Sequence, residues 1–157
     1  MFTTVADFLA TWAHESAQTA RVMSALTDDS LGQRVAEGYR SLGELAWHVV
    51  ASQREIAGKT GLEYDAPTNR DPVPVRAAEI HSAYVDAAKS LAGAVQRQWT
   101  DASLRDTDEI YGRQWARGFT LSVVLSHEVH HRGQMTVLMR QAGLKVPGVY
   151  GPSADEK

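Results

Sequence analysis

The chain has 157 residues, of which 43% are hydrophobic and 22% charged, with a formal net charge of −3 and no cysteine. That is enough for one well-formed core, so a single domain over residues 1–157 is the expectation. The acidic balance gives no clustered positive face for nucleic acid, and the lack of thiols excludes disulfides, thiolate metal ligands and a cysteine nucleophile.

The N-terminal stretch MFTTVADFLATWAHES carries no basic segment ahead of an apolar core. No apolar run reaches the roughly 20 residues that span a bilayer, and a cytoplasmic protein without membrane contact is expected. Over residues 5–26, Val5, Phe8, Leu9, Trp12, Ser16, Thr19, Met23 and Leu26 recur at spacings of three and four, the stripe of an amphipathic helix. A second helix opens at Ser41, which with Glu44 forms a capping-box pattern, turns Leu45, Val49 and Ile56 inward, and closes near Gly58 or Gly61. NRDPVP breaks the pattern. From about Val75 the helical period resumes through Ile80, Tyr84, Ala87, Ala88, Leu91 and Val95 toward Trp99. DTDEIYGRQWARG then reads as a short accessory ribbon with Gly112 in its turn, and a fourth helix follows, with Thr120 as N-cap and Gly143 just past its end. Four such helices predict an all-α, four-helix bundle whose long connections allow crossovers, with the tail LKVPGVYGPSADEK as a strap that frays at its end.

The fourth helix holds His127, His130 and His131, and HEVHH matches the H-E-x-x-H pattern of zinc proteases. At 100° per residue His127 and His131 stand about 40° apart, one turn above the other, on the side shared with Val123, Val124, Gln134 and Leu138. Two imidazoles so placed chelate one ion if a third ligand arrives from elsewhere, and His48 of the second helix is the best candidate. His14 and His81 have no matching partner at helical spacing and read as ordinary histidines. A protease would use Glu128 as its base and a third ligand downstream, but no histidine follows His131, the only later glutamate is Glu156 in the tail, and no sheet edge is offered to a peptide. Glu128 and Arg132 turn away from the histidine face and suggest an i,i+4 ion pair at its flank. Glu44 and Glu55 lie on His48's side of the second helix, where they either orient the imidazole or form a solvated face. Gln134 has a ligand or a backbone group to bond, Tyr150 reaches the site only if the tail folds back, and Trp47, Trp99 and Trp115 suit a core or a dimer interface.

SLGELAWHVVAS followed by HEVHHRGQMTVLMRQAGLKVPGVYGPS resembles the DinB-like (DinB/YfiT) proteins over nearly the whole chain, most specifically in H-x-x-x-H-R-G-Q at 127–134 and Val-Pro-x-x-Tyr-Gly at 146–151. The resemblance implies a metal-binding four-helix bundle with a long crossover, in which His48, His127 and His131 ligate a divalent ion, commonly zinc or nickel, and frequent homodimers. It implies chemistry less firmly, since family members with assigned activities are mostly transferases or isomerases that use a low-molecular-weight thiol. An ion on three neutral imidazoles keeps a position for water or a substrate thiol and lowers the pKa of either. A thiol S-transferase acting on a small-molecule substrate, a hydrolase, and a non-catalytic metal or small-ligand binder all remain open at this point.

Overall fold

In the computed structural model, residues 1–156 are described. Four helices form: α1 Val5–Ser24, α2 Leu42–Ala57, α3 Ala77–Gln98 and α4 Arg117–Gln141. Thr4 caps α1, its hydroxyl accepting from the Asp7 amide, and Ser41 with Glu44 completes the predicted capping box on α2. Among the described residues no helix is long and apolar enough to cross a membrane.

Packing is not sequential. α1 lies against α3 and α4, and α2 lies against the same two helices, so α1 and α2 face each other across the diagonal of the bundle. The connections 25–41, 58–76 and 99–116 make these crossovers possible. The core between the helices is built from Phe8, Trp12, Leu42, Ile80, Leu91 and Met135, with Trp47 and Trp99 also buried. Trp115 is only half-buried and continues an exposed aromatic row from Tyr111 to Phe119.

The ribbon forms as expected, β1 Thr107–Ile110 pairing antiparallel with β2 Arg113–Ala116. Its two turn residues, Tyr111 and Gly112, have φ of 52° and 73°, the left-handed pair that a two-residue hairpin needs. The ribbon leads straight into α4. The helix therefore starts at Arg117 after Ala116, three residues ahead of the expected cap, and the Thr120 hydroxyl bonds back to the Ala116 carbonyl from inside the first turn. Close packing fixes this start: a Cβ on Gly118 would lie 2.0 Å from the Phe2 carbonyl oxygen.

Candidate metal centre

The α2/α4 contact brings His48 to His127 and His131. Each ring offers a nitrogen, and these three atoms lie within 4.8 Å of one another. Ring centroids are 5.0 Å apart for His48 and His127, 4.7 Å for His48 and His131, and 4.4 Å for His127 and His131. All three side chains are half-buried.

Burial is the main reason that His48 and His127 are held down at about 4; at His48 the Arg40 charge adds to it, and at His127 neighbouring His131 does. His131 is lowered as well, chiefly by burial, while its bond to Gln134 opposes the shift. Near pH 7 the cluster is therefore neutral, the state in which imidazole binds metal. Gln134 Oε1 accepts from His131 Nδ1 at 2.7 Å, so the remaining His131 nitrogen, Nε2, carries a lone pair. That Nε2 stands 3.2 Å from His127 Nε2. Two nitrogens on one tetrahedral ion, each about 2.0–2.1 Å from it, are separated by roughly 3.3 Å. His127 Nδ1 is buried without a partner, so no tautomer of His127 satisfies both of its ring nitrogens. Neutral rings, a His131 lone pair turned to the cluster and this spacing fit a divalent cation.

Gln134 is exposed and bonds neither a backbone group nor the core; its role as the orienting partner of His131 is visible only in three dimensions. Glu44 is occupied elsewhere, accepting from the Ser41 amide and from Arg34, and Glu55 accepts from Asn69 and Tyr111. His130 is exposed beside His131 without joining the three-ring cluster, and His14 and His81 lie apart from it.

The ion pair expected at the flank does not form. Glu128 and Arg132 are each only 2% exposed, and they occupy the centre of the buried face of α4 instead of its margin. Nine α4 residues are buried, and the helical step places Glu128, about 100° round from His127, near the middle of their arc. The histidines are at the edge of that arc, facing α2. Glu128 Oε1 accepts from Thr19 of α1 at 2.8 Å and from Tyr84 of α3 at 2.7 Å. Arg132 donates to the Glu15 carbonyl, to Thr19 and to the Glu15 carboxylate, the last at 2.7 Å. Burial pushes the Glu15 carboxyl up, but bonds from Tyr150 and Arg132 outweigh it and hold the group below its ordinary value. The tail does fold back, yet Tyr150 reaches this network and not the histidines, donating to Glu15 at 2.7 Å beneath the Arg132 guanidinium. Glu128 thus faces away from the three imidazoles, which removes the base that a peptidase reading requires.

The DinB family model matches residues 1–157. The chain belongs to the DinB family. As a DinB-family protein it is 42% identical to YrdA of Bacillus subtilis (strain 168) over 156 residues, covering 99% of this chain and 93% of that one. A DinB-like protein of Bacillus cereus ATCC 10987, solved by crystallography, superposes with a TM-score of 0.92 at 41% identity, covering 96% of this chain and all (100%) of the other. The DinB-like protein YjoA of Bacillus subtilis shares the fold at a TM-score of 0.72 and 19% identity, with 91% and 96% of the two chains covered.

Proposed function

We propose that this DinB-family protein is a divalent-metal-dependent enzyme, with His48, His127 and His131 as ligands, that transfers a low-molecular-weight thiol to a small electrophilic substrate. The observation that carries the reading is the gathering of three neutral imidazole nitrogens within 4.8 Å beside solvent-facing cavities. A bound zinc or nickel ion supplies Lewis acidity, which favours the anion of a thiol near neutral pH. The chain's own part is positional. The capped second helix presents His48, one turn of α4 presents His127 and His131, and Gln134 fixes the proton of His131 on Nδ1 so that Nε2 faces the cluster. The half-exposed rings leave one side of the cluster open to a small molecule. The reacting sulfur must come from outside, because the chain has no cysteine. In the transfer a carbon–sulfur bond forms, the thiol proton passes to solvent and the leaving group departs with its electron pair.

Metal analysis of untagged protein and of the His48→Ala, His127→Ala and His131→Ala variants tests the ligand set. Consumption of cysteine or glutathione with 1-chloro-2,4-dinitrobenzene, compared with hydrolysis of p-nitrophenyl acetate, tests the chemistry. Thiol consumption that disappears with each histidine supports the proposal. Ester hydrolysis alone would make the protein a hydrolase, and metal loss that lowers the melting temperature without any turnover would make the ion a structural staple.

A further inference from the structure

The connection between α1 and α2 carries two arginines with opposite fates. Residues 34–41 form a narrow loop closed by the Arg34–Ser41 bridge and by the Leu42 amide on the Gln33 carbonyl. Arg34 holds that loop together: its guanidinium donates to the Tyr39 carbonyl and, at 2.8 Å, to the Glu44 carboxylate. Arg40 has no hydrogen-bond or ion-pair partner among the described residues. Arg40 lines the same two cavities as His131 and His48, so the free guanidinium belongs to the surroundings of the cluster.

The two cavities meet the cluster from different sides. One, of about 630 Å³, includes His48 and is walled by polar groups such as Glu44, Glu55, Asn69 and Asp71. The other, of about 330 Å³, includes His131 and is walled by Val35, Leu45, Val137 and Leu138. Its volume is within the range of small-molecule pockets. Val35, Tyr39 and Val137 at its edge are 57%, 64% and 52% exposed, so three of the large apolar side chains that the fold leaves in water surround this one opening.

We infer that the cavity between the 34–41 loop and α4 binds a small apolar carboxylate, its body against Leu45, Val137 and Leu138 and its head on Arg40. An apolar wall accounts for the body. A single unpaired guanidinium matches a monoanion in charge and in fork geometry, whereas a phosphate dianion would bring a second charge for which this wall offers no cation. Because Arg34 already ties the loop to α2, little backbone freedom is lost on binding, and the exposed Arg40 side chain stays free to meet the ligand. The inference rests on the proposed function in identifying the substrate of the same site, but recognition by Arg40 does not require the ion.

Octanoate and its neutral analogue octanamide are titrated by calorimetry into untagged, chelator-stripped protein, with methyl chemical shifts of Leu45 and Leu138 locating the ligand. Octanoate is expected to bind at least ten-fold tighter than octanamide. Arg40→Gln should remove that preference and leave octanamide within two-fold, while Val137→Trp, which fills the mouth, should weaken both ligands. Equal affinity of the two ligands for the wild type, an unchanged preference in Arg40→Gln, or shifts confined to other parts of the bundle would overturn the assignment. Zinc and nickel content, measured on the same proteins before stripping, separates the two readings. Discrimination without either metal sinks the metal enzyme alone, and metal binding without discrimination sinks the carboxylate pocket alone.

Discussion

Replacing Glu128 with Gln should make the protein more tolerant of alkaline conditions. Burial, opposed by hydrogen bonds from Tyr84 and Thr19, raises the Glu128 carboxyl from 4.5 to about 7. Oε1 accepts both of those bonds and Oε2 has no partner, so the protonated acid carries its hydrogen on the free oxygen. A glutamine keeps the accepting oxygen and puts its amino group where Oε2 was. As pH rises from about 4.5 to about 7, the unfolded chain gives up this proton while the folded chain retains it. Stability from the protonated carboxyl is thus complete below the unfolded value and is lost as pH climbs through the folded one. A gap of two to three pH units corresponds to roughly 3 kcal/mol. Urea unfolding of chelator-treated wild type and Glu128→Gln between pH 4 and pH 8, followed by tryptophan fluorescence, should show the variant gaining on the wild type by about that amount. A constant difference across the range would refute the reasoning. A wild type that gains on the variant at high pH would mean that Arg132 stabilises an ionised Glu128 in the fold.

Arg132→Leu leaves the Glu15 carboxylate and carbonyl, Thr19 and Tyr150 without their common donor, and should cost about 3–5 kcal/mol in the same unfolding assay; a loss under 1 kcal/mol would show that water replaces the guanidinium. Gln134→Ala should weaken zinc binding about 10–100-fold by competition with a chromophoric chelator, while the fold, read by circular dichroism, stays intact. Unchanged affinity would reduce Gln134 to a surface residue. Gly118→Ala places a methyl group against the Phe2 carbonyl and should lower the melting temperature through displacement of the N-terminal residues, whereas an unchanged melting temperature would mean that Phe2 moves aside freely.

Local signals in the chain were faithful where a short stretch determines its own structure. Ser41 with Glu44 caps α2 as their spacing predicts, and Gly112 sits in the turn of the ribbon at positive φ, whereas Tyr111, which shares that turn, gave no such signal. The three-histidine cluster was legible too, since one turn of helix sets the pair, His48 at the margin of the second helix's apolar stripe was the best candidate for the third ring, and the family resemblance implied the same three. Glu128 and Arg132 were misplaced because charged residues are almost never buried unless paired, and their partners lie on α1, on α3 and in the tail. The same effect hid Glu15, which takes the buried position on α1 that the apolar stripe assigned to Ser16. Arg40 carries no periodic signal at all; its meaning comes from the loop that Arg34 closes beside it.

The diagonal placement of α1 and α2 bears on how the molecule comes into being. Only α2 and α3 are neighbours both along the chain and in space, so most lateral helix contacts join distant segments. Such a topology should fold more slowly than an up-and-down bundle of the same length, because long loops must close before their contacts form. A nascent chain that has emerged only as far as α3 carries one of the three rings and neither wall of α4. The three-histidine cluster is complete only once α4 has packed, so any ion that it holds would be taken up after the last helix is in place.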